Sequence, residues 1–126
     1  MYIDNGKICA TIGNVIEIRE YQDCDDHSPF GEWVDQLNAE AARKVTIALY
    51  RIGLGNFSNV KGIGSGVFEY KIHFGPGYRV YFGKHGERIV ILLGGGTKHG
   101  QDKDIKLAIA RWVDYKRKTK QKIEEE

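Results

Sequence analysis

Apolar and polar side chains alternate twice in the middle of the chain, which predicts two neighbouring strands. Residues 67–74 form the first strand, and after the turn at residues 75–77 the second runs over residues 78–82. The continuous aliphatic run at residues 88–93 predicts a third strand that is buried on both faces, and we expect glycines 94–96 to end it. The alternation places these apolar residues on one face: Phe68, Tyr70, Ile72, Phe74, Tyr78, Val80 and Phe82.

The segment before these strands predicts one more strand and a helical hairpin. Residues 14–21 alternate imperfectly and are interpreted as a strand. Ser28 followed by Pro29 is a typical helix start, and Asn38 is placed to cap a second helix over residues 39–52. The apolar faces expected for the two helices are Phe30, Trp33, Val34 and Leu37, and Ala42, Val45, Leu49 and Ile52.

The last predicted element is a helix with an apolar stripe. Its stripe consists of Ile105, Ala108, Ile109, Trp112 and Tyr115. Residues 53–66 contain five glycines without helix or strand periodicity and are expected to be a loop. This loop follows a helix and precedes a strand, which is the reverse of a dinucleotide-binding fingerprint.

These elements predict an α+β fold in the order β-α-α-β-β-β-α. We expect a small, mainly antiparallel four-stranded sheet with the hairpin on one face and the other face open, as a binding surface would require. Residues 14–115 form the single domain of this prediction. Residues 1–13 are an N-terminal extension, and the charged tail at residues 116–126 is expected to fray.

Composition narrows the class of protein. A chain of 126 residues with 41% hydrophobic and 29% charged residues is typical of one globular domain. It contains neither an apolar run long enough to span a bilayer nor a recognisable secretion signal, so we expect a cytoplasmic protein without a membrane partner. Cys9 and Cys24 lack the number and spacing of a zinc site and are expected to be free thiols. The acidic stretch at residues 23–26 lacks the spacing of a calcium loop.

Charge is distributed unevenly, although the net charge is only +2. Residues 98–122 contain nine basic and three acidic side chains, whereas residues 1–27 contain two basic and six acidic ones. A basic end of this kind fits a polyanionic partner, and a solvated terminal helix would give the same count.

The polar face of the two central strands contains the groups that RNA cleavage requires. If Phe74 lies opposite Tyr78, then His73 faces Arg79 and Lys71 faces Tyr81, with Glu69 at the far end of the row. Arginine and lysine bind phosphate, and histidine or glutamate can transfer a proton. The same alternation is also expected of any strand with one solvated face, where Arg79 and Glu69 would form an ordinary surface ion pair.

Three motifs in order give the chain a family resemblance. The motifs are GPGYRVYF at residues 75–82, LLGGGTK at residues 92–98 and QDKDI at residues 101–105. With these motifs the chain resembles the RelE/ParE superfamily of toxins, in particular its HigB-like and phage-derived addiction module killer protein branch. The resemblance covers residues 14–115 and implies a RelE-like fold.

The resemblance implies a type II toxin that cleaves mRNA on the ribosome without a metal ion or another cofactor. It also implies neutralisation by an antitoxin, expected to be a helix-turn-helix DNA-binding protein. Arg79 matches the arginine that would stabilise the transition state, and Lys71 and Lys98 match basic positions of the family. Glu69, His73, Tyr81 and His99 are compatible with proton transfer, without a unique general base. Lys98, His99 and Lys103 are the expected RNA-binding residues.

Two other functions remain open at this point. The same superfamily contains non-enzymatic toxins that bind gyrase, and the fold could also be kept as an inactive interaction module. The grouping of Glu69, His73 and Arg79 on one predicted face favours the nuclease.

Overall fold

A computed structural model describes the backbone of residues 2–4, 7–9 and 16–125 and the side chains of residues 16–120. Strands β1 (Tyr2–Asp4) and β2 (Lys7–Cys9) pair antiparallel in a sheet of their own, within the N-terminal extension. The predicted strand at residues 14–21 is shorter in the structure, where β3 is Glu17–Glu20, and residues 14 and 15 lie outside the described part.

The domain is α+β, with three helices and a mixed five-stranded sheet in the order β3-β7-β6-β5-β4. Strand β3 is parallel to β7, and the other three pairings are antiparallel. After β3, the elements are α1 (Pro29–Asp35), α2 (Ala39–Gly53), β4 (Val60–Gly64), β5 (Val67–Ile72), β6 (Tyr78–His85), β7 (Ile89–Thr97), a 3-10 turn (Lys98–Gly100) and α3 (Gln101–Glu125). The prediction of four strands was therefore wrong by one.

The additional strand is β4, which lies in the glycine-rich segment that we expected to be a loop. Its two glycines give β4 little strand propensity of its own, so its pairing with β5 defines it. Ser65 and Gly66 connect the two strands and both have positive φ angles, +58° and +81°. A two-residue hairpin loop requires this conformation when its twist matches that of the strands. The turn residues Ser65 and Gly66 therefore indicate this hairpin more clearly than the sequence of β4 does.

Both predicted helix starts are confirmed. Ser28 caps α1 by accepting a hydrogen bond from the backbone N–H of Gly31, and Pro29 is the first helical residue. Asn38 caps α2 by accepting a hydrogen bond from the N–H of Ala41. The buried face of α2 is Ala41, Val45, Ala48 and Ile52, so it is rotated slightly from the predicted stripe.

The predicted apolar face of the sheet packs against α1 and α2, as expected. This core contains Phe30, Val45, Ala48, Ile52, Tyr70, Ile72, Val80, Phe82, Val90 and Leu92. Phe68, Phe74 and Tyr78 are partly buried against it. The hydrophobic pattern therefore predicted correctly which side of β5 and β6 is apolar.

The opposite face of the sheet is not open, which corrects the prediction. Helix α3 lies across β5, β6 and β7 and forms a second core with them. That core contains Tyr21, Val67, Tyr81, Ile91, Leu93, Ala108 and Trp112. An apolar stripe on α3 has to be buried, and the hairpin already occupies the first face, so the second face is the remaining place for it.

Glycines 94–96 do not end the third predicted strand, because β7 continues through them to Thr97. They are places where helices approach the sheet closely. A Cβ at Gly95 would lie 2.3 Å from the ring of Trp33 in α1, and a Cβ at Gly96 would lie 2.0 Å from the carboxylate of Asp104 in α3. Consecutive residues of a strand point to opposite faces, so side chains from the helices on both faces pack against this stretch.

Helix α3 includes most of the tail that we expected to fray, since it ends at Glu125. Asp114 forms ion pairs with Arg117 and Lys118, which lie one helical turn further along, at 2.5 and 3.0 Å. Asp114 also accepts a 2.6 Å hydrogen bond from the hydroxyl of the buried Tyr21, which follows β3. The tail is therefore a continuation of a helix that is tied to the sheet at Asp114.

The close approach at Gly95 predicts a large effect of a single methyl group. Gly95→Ala should lower the free energy of unfolding by about 1–3 kcal/mol, because Trp33 would have to move out of the core. Gly62→Ala in β4 is the matched control, since a Cβ there would meet Phe68 at an ordinary 3.8 Å. Urea unfolding of both variants measures the difference, and equal stabilities would contradict this packing.

The Tyr21–Asp114 contact predicts a pH dependence of stability. The hydrogen bond from Tyr21, followed by those from Arg117 and Lys118, lowers the pKa of Asp114 from its usual 3.8 to about 2, although burial opposes this. Because the folded pKa is the lower one, the stabilisation is complete above pH 3.8 and is lost as the pH falls towards 2.

Tyr21→Phe should therefore cost roughly 1.5–3 kcal/mol at pH 7 and flatten the loss of stability under acid conditions. The exposed Tyr50 provides the control Tyr50→Phe, which should leave the acid profile unchanged. Thermal unfolding at a series of pH values measures both. Parallel profiles for wild type and Tyr21→Phe would show that this hydrogen bond does not contribute.

Candidate functional site

Beneath α3 lies a buried ion pair between β5 and β6. Glu69 and Arg79 are 2% and 5% exposed, and the Arg79 Nε lies 3.5 Å from Glu69 Oε1. Gln101, the first residue of α3, donates a 3.0 Å hydrogen bond from its Nε2 to Glu69 Oε2. The Arg79 Nη1 donates a 3.0 Å hydrogen bond to the carbonyl of Gly77. The orientation of the guanidinium group is thus set by two partners.

Tyr81 lies opposite Glu69 in the same ladder and is 1% exposed. Within the described residues neither its hydroxyl nor the Arg79 Nε makes a hydrogen bond of good geometry, although the hydroxyl is close to the carboxylate of Glu69. Burial, and then the negative charges of Glu69 and Asp104, raise the pKa of Tyr81 well above its ordinary value. Tyr81 therefore stays protonated near neutral pH, and solvent does not reach it.

Two charged residues of α3 complete this internal layer. Burial raises the pKa of Asp104, with the cations of Lys103 and Arg111 opposing the shift. Burial also lowers the pKa of Arg111, whose Nη1 donates a 2.9 Å hydrogen bond to the carbonyl of Leu93. The sequence-based prediction missed Gln101, Asp104 and Arg111. The apolar stripe of α3 was the available signal, since it requires the helix to cover a sheet face.

The pairing of β5 with β6 differs from the predicted one. Ile72 lies opposite Tyr78, Lys71 opposite Arg79 and Glu69 opposite Tyr81. The connection has five residues, 73–77, because β5 ends two residues earlier than predicted. The shift is an even number of residues, so the predicted faces of the strands are preserved. His73, however, lies in the connection and is exposed, so the predicted row of five residues does not exist.

Five of the eight predicted site residues are accessible, and they lie near one end of the sheet. Ile72, Tyr78 and Thr97 are aligned across β5, β6 and β7. His73 directly follows β5, and Lys98 directly follows β7. Because β6 lies between these two strands, the spacing of strands places the two residues about 10 Å apart. Lys71 is half-buried, and Lys98, His99 and Lys103 are exposed. The other three predicted residues are buried beneath α3: Glu69, Arg79 and Tyr81.

The described residues offer no group of three or more His, Cys, Asp or Glu side chains that could hold a metal ion. Cys24 is an exposed free thiol, and the side chain of Cys9 lies outside the described part. No helix within the described ranges has the length and apolarity needed to cross a membrane.

The buried pair predicts that Glu69 is required for stability. Glu69→Ala should cost roughly 3–5 kcal/mol, because it leaves the charge of Arg79 buried without its partner. Glu87→Ala removes an exposed glutamate and should change stability by less than about 0.5 kcal/mol. Chemical unfolding of both variants tests this. A Glu69→Ala protein as stable as the Glu87→Ala protein would mean that water reaches Arg79.

No family model matches the chain. A protein of Haemophilus influenzae, described only as an uncharacterized protein, is 44% identical over 80 residues, which are 63% of this chain and 81% of that protein. Identity at this level over most of the relative's length indicates common descent and a shared fold. The chain therefore belongs to the same protein family as this Haemophilus influenzae protein.

Proposed function

We propose that the chain is a type II toxin with a RelE-like fold, which acts in the cytoplasm by cleaving mRNA without a metal ion. The motifs GPGYRVYF, LLGGGTK and QDKDI are the first support, because they resemble those of the RelE/ParE superfamily. The observation that carries the proposal is the position of Lys71 beside Arg79, near the end of the sheet where Lys98 and His99 follow β7.

In this proposal the accessible cations bind the RNA backbone. Lys71, Lys98 and Lys103 attract phosphate groups, with an affinity that falls as salt concentration rises. Arg79 lies next to Lys71 and contributes a positive charge that its partner Glu69 partly neutralises. Its guanidinium group is already held by Glu69 and the carbonyl of Gly77, so it does not need to reorganise as negative charge develops on the phosphate.

Proton transfer is assigned to the exposed histidines rather than to the buried acid groups. The 2′-hydroxyl of the RNA loses its proton and attacks the adjacent phosphorus, and the 5′ oxygen leaves with a proton. His73 and His99 are both exposed, and imidazole can accept and return a proton near neutral pH. Glu69 and Tyr81 are too deeply buried beneath α3 to meet a substrate in this structure.

The proposed partners follow from charge and from the resemblance. Lys116, Arg117, Lys118 and Lys120 give the second half of α3 a basic character that suits ribosomal RNA. A helix-turn-helix antitoxin is the proposed neutralising partner.

One observation favours a second candidate function. Three of the predicted catalytic residues, Glu69, Arg79 and Tyr81, are packed beneath α3 and have evident structural roles. A non-enzymatic toxin that binds gyrase, or an inactive interaction protein with this fold, would need no accessible acid or base.

Induced expression in bacteria, followed by primer extension on cellular mRNA, separates these functions. We expect codon-linked cuts, reduced at least about tenfold in the double variant Lys71→Gln/Lys98→Gln because both phosphate contacts are lost. Lys61→Gln/Lys106→Gln removes the same charge at exposed positions elsewhere and should cut like wild type. Melting temperatures of the purified variants control for folding.

Three results would overturn the nuclease proposal. Intact mRNA together with induction of the DNA damage response would identify a gyrase-directed toxin. Intact mRNA with normal growth would identify an interaction protein. Equal cutting by the two double variants would show that the end of the sheet near Lys71 and Lys98 does not bind the substrate.

A further inference from the structure

A groove lies at the end of the sheet opposite Lys71 and Lys98, between the β6–β7 turn and the second half of α3. It has a volume of about 510 Å³ and is lined by Lys84, His85, Gly86, Trp112, Tyr115, Lys116, Thr119 and Lys120. His85 is six residues from Arg79 along β6, which corresponds to about 20 Å in a strand. The groove is therefore separate from the candidate site described above.

One wall of the groove is aromatic. The rings of Trp112 and Tyr115 are parallel within 5°, with centroids 5.3 Å apart, and the His85 ring meets Tyr115 edge-on at 5.8 Å. The Nδ1 of His85 is 2.8 Å from the hydroxyl of Tyr115. Trp112 packs directly on Gly83, where a Cβ would lie 2.5 Å from the ring. The aromatic wall is therefore held in place by the sheet.

The other side of the groove is basic. The Lys116 Nζ lies 5.7 Å from the centre of the Trp112 ring, and Lys120 follows one turn later on the same side of α3. The ammonium of Lys84 points away, since it lies over the rings of Phe57 and Phe68 at 4.1 and 4.7 Å. None of the eight lining residues is acidic. Two cations therefore stand beside three aromatic rings.

We propose that this groove binds one nucleotide unit of a single-stranded nucleic acid. The base would lie against the accessible rings of His85 and Tyr115, which Trp112, itself only 5% exposed, supports from behind, and its phosphate would contact Lys116 and Lys120. Stacking on aromatic side chains combined with backbone cations is the general mode by which single strands are bound. An acidic peptide would use the lysines but not the flat rings. The groove lies on the part of α3 for which we propose a ribosomal RNA contact, but its binding of a single strand does not depend on the cleavage reaction.

Fluorescence anisotropy with a labelled single-stranded DNA of about eight nucleotides tests the groove, since each stacked base contributes to affinity. DNA lacks the 2′-hydroxyl, so cleavage cannot interfere. Lys116→Gln/Lys120→Gln should weaken binding about tenfold and reduce the salt dependence of log Kd by about 1.4, or about 0.7 per lost phosphate contact. Lys106→Gln on the same helix should bind as wild type.

The aromatic wall has its own test. Tyr115→Phe keeps the ring and should retain binding, whereas Tyr115→Leu should weaken it about fivefold or more. An RNA of the same sequence carrying 4-thiouridine should crosslink, under ultraviolet light, to the peptide containing residues 112–120. Circular dichroism of the variants confirms that they are folded.

Two results would overturn the inference. If crosslinks form only at residues 98–103 and the two lysine substitutions leave binding unchanged, nucleic acid does not enter the groove. If a labelled polyglutamate peptide binds as tightly as the oligonucleotide and Tyr115→Leu has no effect, the groove is an acidic-protein contact. Absence of mRNA cleavage by the wild-type protein, together with binding in the groove, would refute the proposed function alone.

Discussion

Helices pack on both faces of the sheet, and the rest of the molecule depends on the small residues that allow this. Gly83 in β6 receives the ring of Trp112, and Gly95 and Gly96 in β7 receive Trp33 and Asp104 from opposite sides. Any larger residue at these positions would place its Cβ within 2.5 Å of those side chains. Since interiors are packed to crystal-like density, there is no free volume to absorb such an overlap. The two cores, one on each side of β6 and β7, exist because these contacts are close.

Burial by α3 changes the chemistry of the polar face. Glu69 and Arg79 would have formed a surface ion pair with little effect on stability if the face were open. Under α3 they are a buried pair, and Gln101 and the carbonyl of Gly77 supply the additional hydrogen bonds that such a pair needs. The same burial raises the pKa of Tyr81 and of Asp104. Groups that could transfer protons in solvent become structural groups here.

The two surfaces that we propose to be functional therefore lie where α3 begins and where its second half passes the β6–β7 turn. At the first place, Lys71, His73, Lys98 and His99 remain accessible beside the buried Arg79. At the second, Lys116 and Lys120 stand next to an aromatic wall that is held against Gly83. A single long helix thus covers the centre of the polar face and leaves a basic surface near each end of the covered region.

The sequence by itself determined the local structure and the faces of the elements. Ser28 and Asn38 predict their helix starts, and alternation predicts the apolar side of β5 and β6, because caps and a two-residue period act over a few neighbouring residues. Three features required the tertiary structure: strand β4, the continuation of β7 through its glycines, and the position of α3. Each depends on contacts with other elements. Strand β4 is defined by its pairing with β5, and the glycines of β7 are required by side chains of α1 and α3 that pack against them. The burial of Glu69, Arg79 and Tyr81 follows from the same cause, because it depends on how α3 packs on this face, with Trp112 against Gly83 and Asp104 against Gly96.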